Sequence, residues 1–121
     1  MSDDVELTLE SMAAAPIVQD YYLVPSIDFR CTITGTNRDT VTVQIFYVNT
    51  PMWSGTLTQI QSHLDFPTLQ LGAFKISDGG LDLTVPTNTT PGNVMLSCTV
   101  TQRGQSPIPF SAPIASWPLT S

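Results

Sequence analysis

Few residues of this chain have side chains that could do chemistry, and they lie far apart in the sequence. There is one histidine, His63, and there are two cysteines, Cys31 and Cys98. A zinc site needs three or four ligands of the His and Cys type at defined spacings. No G-x-S-x-G motif accompanies His63, so nothing indicates a serine nucleophile. We therefore expect no catalytic residue, no metal site and no cofactor, and predict that the protein is not an enzyme.

Two further segments contain groups with known chemistry. The stretch 78–82 places Asp78 and Asp82 around two glycines. A calcium site needs six to eight oxygen ligands, so this stretch is more typical of a hairpin turn. The triplet Asn88-Thr89-Thr90 is an N-glycosylation sequon in a predicted loop, which makes Asn88 a candidate glycosylation site if the chain is secreted.

Length and charge exclude several classes of function. The 121 residues are enough for one domain with one core, and four Lys and Arg against ten Asp and Glu give a net charge of −6. So few cations cannot form a phosphate-binding surface, so we expect no nucleic-acid partner. No apolar run approaches the ~18 residues of a membrane span, so we expect no membrane insertion. We also expect no signal peptide, because no basic segment followed by an apolar one opens the chain.

The elements that would position these residues are predicted to be strands. The chain holds 17 Thr, 11 Ser, 10 Pro and 7 Gly, a composition that favours short strands joined by tight turns. Apolar and polar residues alternate with period two in several segments, and only Thr56–Leu64 has helical spacing. The predicted strands cover Ile17–Val24, Ser26–Thr34, Thr40–Asn49, Leu69–Ile76, Leu81–Val85, Val94–Thr101 and Phe110–Leu119. Because of its prolines, the last segment is predicted to be an edge strand.

Seven strands with turns every ~8–12 residues predict an all-β, two-sheet antiparallel sandwich. Ile27–Gly35 around Cys31 and Val94–Thr101 around Cys98 resemble the second and sixth strands of an immunoglobulin-like domain, and 42–49 is similar to its third. The resemblance implies a disulfide between Cys31 and Cys98, with two buried free thiols as the alternative. The third strand lacks the expected Trp, and Leu96 replaces the expected Tyr. We therefore expect a divergent immunoglobulin-like sandwich, or another two-sheet fold such as a jelly roll.

The N-terminal segment differs from the rest of the chain. Residues 1–29 contain six acids and no base, which accounts for the whole net charge. We predict an acidic N-terminal arm over residues 1–15 and a single sandwich domain over residues 16–121. The arm is either a solvated tail or a docking segment. Its predicted contact residues are Val5, Leu7, Leu9 and Met12.

Two tryptophans complete the set of candidate contact residues. Trp53 follows Pro51 and Met52, and Trp117 precedes Pro118, both in predicted loop or edge positions. Aromatic residues at such positions are enriched in protein interfaces, although large rings also cover the edges of a core.

The function predicted from the sequence is a non-enzymatic structural or binding module with a protein partner, as a homo-oligomer or as part of an assembly. A viral or phage capsid accessory protein of the decoration type, located in the virion, fits the low charge and the Thr- and Ser-rich composition by analogy. The alternative is an extracellular immunoglobulin-like recognition domain, to which the two cysteines and the sequon would be suited.

Overall fold

The computed structural model describes residues 15–119, and over this range the chain is built from strands. Their bounds are β1 Ile17–Val24, β2 Ile27–Thr34, β3 Thr40–Tyr47, β4 Thr50–Leu57, β5 His63–Phe66, β6 Leu69–Leu71, β7 Phe74–Thr84, β8 Gly92–Gln102 and β9 Ile108–Trp117. The composition correctly predicted an all-β chain, because β-branched residues suit strands and prolines and glycines suit the turns between them.

These strands form two antiparallel sheets that pack face to face. The first sheet has the order β1-β2-β3-β4, and the second has the order β5-β7-β8-β9, with β6 also paired to β7. Both β5 and β6 pair with β7. The strand β5 pairs with the C-terminal half of β7, and β6 pairs with the N-terminal end of β7. The predicted two-sheet antiparallel sandwich is therefore confirmed.

The strand order departs from the arrangement that the immunoglobulin resemblance implies. In immunoglobulin domains the second and third strands lie in opposite sheets. Here β2 and β3 are hydrogen-bonded neighbours, with Cys31 opposite Val43. Within residues 15–119 the first sheet follows the order of the chain, and so does the second, except that β5 and β6 both pair with β7. The Greek keys of a jelly roll are therefore not seen either.

The core lies between the sheets and is formed by the predicted alternating faces. In β2 the side chains of Ile27, Phe29, Cys31 and Ile33 are buried, as the period-two pattern predicted. The opposite sheet contributes the buried side chains of Ile76, Leu81, Leu83, Val94, Leu96 and Cys98. The alternation predicts a core of Phe29, Ile33, Ile45, Leu83, Leu96 and Val100 around the two cysteines. All of these are buried except Val100, which is partly buried.

The predicted helix over Thr56–Leu64 is wrong. Leu57 ends β4 with its side chain in the core, residues 58–62 form a turn, and His63 begins β5. Ile60, which completed the helical spacing, is 98% exposed at this turn. The turn is closed by two hydrogen bonds from backbone amide groups, Thr58 to the Gln61 carbonyl and Gln61 to the Thr58 hydroxyl. The apolar residues at the end of β4, in the turn and at the start of β5 happen to have the spacing of one helical face.

The turn predicted at 77–80 is instead a β-bulge inside β7. Pairing with β8 continues on both sides of it and shifts register between Ser77 and Gly80. Asp78 takes a φ of 53°, and a side chain on Gly79 would collide with the ring of Phe66. Gly79 therefore allows a bulge that fits under the core ring of Phe66.

The reversal of the chain lies earlier, at the positive-φ Gly72 between β6 and β7, so Leu69–Ile76 is a hairpin and not one strand.

Two other boundaries differ from the sequence prediction. The predicted strand Thr40–Asn49 ends at Tyr47, because Val48 and Asn49 form a tight turn that leads directly into β4. Pro51 therefore lies inside an edge strand, opposite Phe46 and beside a register shift, where a proline is tolerated. The prolines of β9 occupy the predicted edge position in the second sheet.

Candidate functional site

A charged cluster lies on the outer face of the first sheet, near the turn between β1 and β2. The strand register places Asp20 opposite Arg30 and Tyr22 opposite Asp28. The Arg30 Nε donates a hydrogen bond of 2.9 Å to Asp20 Oδ1, and an Arg30 terminal nitrogen lies 3.8 Å from Asp28 Oδ2. One guanidinium is therefore shared unequally by two carboxylates.

Asp28 is buried although it belongs to the outer face of its strand. Its register partners on the two sides are Tyr22 and Phe46, and it is only 6% exposed. The Oδ1 atom of Asp28 has no hydrogen-bond partner. Two aromatic neighbours thus shield a carboxylate from water without replacing the hydrogen bonds that water would give.

The pKa values of the two carboxyl groups move apart. Burial, and then the neighbouring Asp20, raise the pKa of Asp28 to about 6, against the opposing charge of Arg30. Burial would also raise the pKa of Asp20, but hydrogen bonds with Asp28 and Arg30 and the Arg30 charge outweigh it and lower this pKa. When Asp28 is protonated, its hydroxyl can donate to the Asp20 carboxylate, and this supplies the partner that ionised Asp28 lacks.

A cavity of about 350 Å³ opens beside Asp28, at the end of the first sheet where two hairpin turns meet. We call it the turn-end cavity, and it is lined by Tyr22, Pro25, Ser26, Asp28, Phe46, Val48 and Asn49. The Val48 amide donates to the Ser26 carbonyl at 2.9 Å, which ties the β3–β4 turn to the β1–β2 turn. Tyr22 and Val48 are 60% and 62% exposed, so the mouth of the cavity is apolar.

The turn beside the cavity has an unusual backbone. Val48 and Asn49 have φ values of 46° and 66°. Two positive φ angles in succession are typical of the tight hairpin turns that match the twist of a sheet. Asparagine tolerates this region, but a β-branched valine does so only at a cost. The sequence thus keeps an exposed apolar side chain at a position that favours a small or polar residue.

His63 belongs to a second cluster, on the outer face of the other sheet. Its Nδ1 lies 2.7 Å from Asp82 Oδ1, and its Nε2 lies 2.8 Å from Asp65 Oδ1. We call His63, Asp65 and Asp82 the His63 cluster. Both ring nitrogens can donate only in the imidazolium, so the hydrogen bonds with Asp82 and then Asp65 raise the pKa of His63.

The His63 cluster lies on an exposed face, and its two contacts are ion pairs while His63 is protonated. Among residues 15–119, no group of three or more His, Cys, Asp or Glu side chains is placed to hold a metal ion. Here each imidazole nitrogen is already matched to its own carboxylate oxygen.

The predicted cysteine pair is buried, one cysteine in each sheet, at Cys31 of β2 and Cys98 of β8. Both are free thiols in the structure. Burial raises the pKa of Cys31 to about 12 and that of Cys98 to about 11. Both thiols therefore stay protonated at neutral pH and pack as small apolar groups.

The two tryptophans have different surroundings. Trp53 lies in β4 and not in a loop, and its ring packs against Phe66 with centroids 5.5 Å apart. Trp117 is 2% exposed, and its indole nitrogen donates to the Arg38 carbonyl at 3.0 Å. Its ring belongs to the core, as in the alternative in which a large ring covers a core edge.

The remaining predicted site residues are the glycosylation candidate Asn88 and the residues of the N-terminal arm. Asn88 is exposed in a loop, where the hydroxyl of Thr87 accepts hydrogen bonds from the Thr89 and Thr90 amides. The arm residues Val5, Leu7, Leu9 and Met12 lie outside the described residues.

The turn-end cavity and the His63 cluster were both missed from sequence. Asp28 was assigned to a solvent face, and its burial depends on the register of three strands. The His63 cluster could have been found from the alternation in His63-Leu64-Asp65, had this segment been recognised as a strand opposite Asp82.

Comparison with protein-family models, with curated proteins and with solved structures gave no match to this chain. Across residues 15–119 no helix has the length and apolar character to cross a membrane.

Proposed function

We propose that this chain is a non-enzymatic binding module that attaches to a larger protein assembly. The observation that carries the proposal is the exposed apolar surface around the turn-end cavity, where Tyr22 and Val48 face solvent beside Pro25 and Phe46. Met52, on the adjacent edge strand, is exposed as well. Apolar groups gathered at one end of a sheet and bordered by charged residues are typical of protein contact surfaces.

A viral or phage shell is the assembly that best fits the rest of the molecule. Charged residues make up only 12% of the chain, and the outer face of the first sheet is rich in hydroxyl groups. Thr42 and Thr56, for example, are hydrogen-bonded across β3 and β4 at 3.4 Å. A surface of this kind is suited to close packing beside other subunits, and the proposed role is that of a decoration-type accessory protein in the virion.

The second candidate is the extracellular recognition domain that the immunoglobulin resemblance implies, although the pairing of β2 with β3 differs from that of immunoglobulin domains. Exposure of the sequon residue Asn88 in a loop favours it, because an exposed asparagine is accessible to glycosylation. A disulfide between Cys31 and Cys98 would add support to this candidate. Counting free thiols in protein isolated from its natural source distinguishes the shell protein from the extracellular domain, since a shell protein made in the cytosol keeps both thiols reduced.

The shell proposal is tested by co-sedimentation of the purified chain with shells of the virus or phage that encodes it. A variant carrying Tyr22→Ser and Val48→Asn removes the exposed apolar groups, and asparagine is well tolerated at the positive φ of Val48. Ile60→Thr is the matched control, because this exposed apolar residue follows the opposite end of β4. We expect the double variant to lose shell binding and the control to keep it. Equal binding of all three proteins would contradict a role for this surface.

A further inference from the structure

Asp28 is a carboxylate whose hydrogen bonding is incomplete within the described chain. Its Oδ1 accepts no hydrogen bond, and its Oδ2 is 3.8 Å from Arg30, beyond hydrogen-bond reach. A buried charged group left in this state destabilises the fold unless a donor completes it. Protonation with Asp20 as the acceptor completes it at lower pH. While Asp28 is ionised, the group that completes it must carry both positive charge and N–H donors.

The surroundings of Asp28 specify the kind of cation. The turn-end cavity has no positively charged residue in its lining, and Asp28 is its only carboxylate. Aromatic faces attract cations, and the Phe46 ring already holds the Arg30 guanidinium at 4.9 Å from its centroid. Pro25 and Val48 at the mouth suit an alkyl chain. A primary ammonium on an apolar stem matches all three features.

We propose that the turn-end cavity binds the ammonium group of a lysine side chain carried by the protein partner. The Oδ2 atom of Asp28 accepts its N–H groups, because Oδ1 is buried. Tyr22 and Phe46 provide aromatic surface beside the ammonium, and Val48 contacts the methylene stem. The inference rests on the proposed function, because it names the chemistry of the partner at the proposed contact surface. A lysine also complements the net charge of −6.

The test is an NMR titration of the full chain, labelled at the Val48 methyl groups, the Tyr22 ring and the Asp28 carboxyl. One probe is the capped tripeptide Gly-Lys-Gly, and its control is the same peptide with norleucine, which keeps the stem and lacks the ammonium. Free n-butylammonium is the third probe. We expect the lysine peptide and n-butylammonium to shift all three labels with millimolar affinity, and the norleucine peptide to shift none.

Asp28→Asn removes the charge with little change of shape, and we expect it to weaken lysine binding about ten-fold or more. Asp65→Asn, on the outer face of the other sheet, is the matched control and should bind as the unmodified chain does. A thermal melt of each variant checks that it is folded.

A measurement on the unmodified chain does not depend on any variant. Proton and ligand compete for Asp28, so affinity should be about ten-fold lower at pH 5 than at pH 7 when the free pKa is about 6. The charged or titratable groups facing Asp28 are Asp20 and Tyr22 from β1 and Arg30 from β2, whereas Phe46 from β3 does not titrate. The lysine ammonium stays charged throughout this range.

Equal binding of the norleucine and lysine peptides would overturn the inference. So would an affinity for the lysine peptide that is unchanged in Asp28→Asn, or unchanged between pH 7 and pH 5. Binding of n-butylammonium without the lysine peptide would overturn the assignment to a protein partner and indicate a free amine. The proposed function can be judged separately from the lysine site. Shell binding that requires Tyr22 and Val48 but not Asp28 would support the proposed function and contradict the lysine site.

Discussion

The imidazole of His63 lies 2.7 Å from the carboxylate of Asp82, its direct partner across β5 and β7. Cross-strand pairs of opposite charge stabilise a sheet, and this one joins the short strand β5 to the long strand β7. Its strength depends on pH, because the attraction exists only while His63 carries a proton.

We predict that stability falls as the pH rises above neutrality. The pKa of His63 is higher in the folded chain than its usual value near 6.5, so its contribution is complete below 6.5 and is lost as pH passes the raised pKa. The midpoint of thermal unfolding should therefore decrease between pH 6 and pH 9. His63→Gln should flatten this part of the profile. If the pH dependence of the unfolding midpoint were the same in the variant, the His63 cluster would not contribute to stability.

Asp28→Asn should stabilise the fold at pH 7. The pKa of Asp28 is raised to about 6 from 3.8, so its ionisation is disfavoured in the folded chain and stability is lost as pH rises through that interval. The variant removes this loss and should gain on the order of 1–3 kcal/mol at pH 7. Denaturant unfolding at pH 7 and pH 4 measures the gain, which should be near zero at pH 4. Destabilisation at pH 7 would mean that ionised Asp28 is well compensated.

Leu96→Ala should destabilise the protein by about 2–5 kcal/mol, because truncation of a fully buried leucine leaves a cavity. Leu96 lies in the central strand β8, opposite Leu81, with its side chain completely buried. Chemical denaturation gives the value. The exposed neighbour Ser97 provides a control, since Ser97→Ala should change stability by less than about 0.5 kcal/mol. A loss that small at Leu96 would place its side chain outside the core.

Cys31 and Cys98 should resist alkylation in the native protein and react together on unfolding. Burial raises the pKa of both thiols to about 12 and about 11, so little reactive thiolate exists at neutral pH. Mass spectrometry after iodoacetamide treatment, with and without denaturant, counts the modified thiols. Two adducts under denaturing, non-reducing conditions would show free thiols. None would show the disulfide that the immunoglobulin resemblance implies.

Deletion of residues 1–15 should leave the sandwich folded and weaken its attachment to the assembly. The deleted segment precedes β1 and carries Asp3, Asp4, Glu6 and Glu10 with the apolar residues of the predicted arm. Its acids would steer the encounter with a basic surface, so the difference between the full and shortened chains should shrink at high salt. Co-sedimentation at two salt concentrations measures it. Equal binding of the two chains would indicate a solvated tail.

The sequence was sufficient for features that depend on one strand at a time. Alternation identified the core face of β2 and of β8, and prolines identified β9 as an edge. It was insufficient where two elements meet. The 77–80 segment has the composition of a turn, yet Gly79 accommodates the ring of Phe66 from a neighbouring strand. The same limit applies to the candidate site, because the burial of Asp28 results from Tyr22 and Phe46 on adjacent strands.

The order of strands has a consequence for the way this protein acquires its fold. In each sheet nearly every strand pairs with the one before or after it in the chain, and residues 58–62 are the only passage between the sheets within residues 15–119. Short loops between paired strands are closed at a low entropic cost, which favours fast formation of each meander. We therefore expect contacts within each meander to form before the contacts between the two sheets, which residues 58–62 connect.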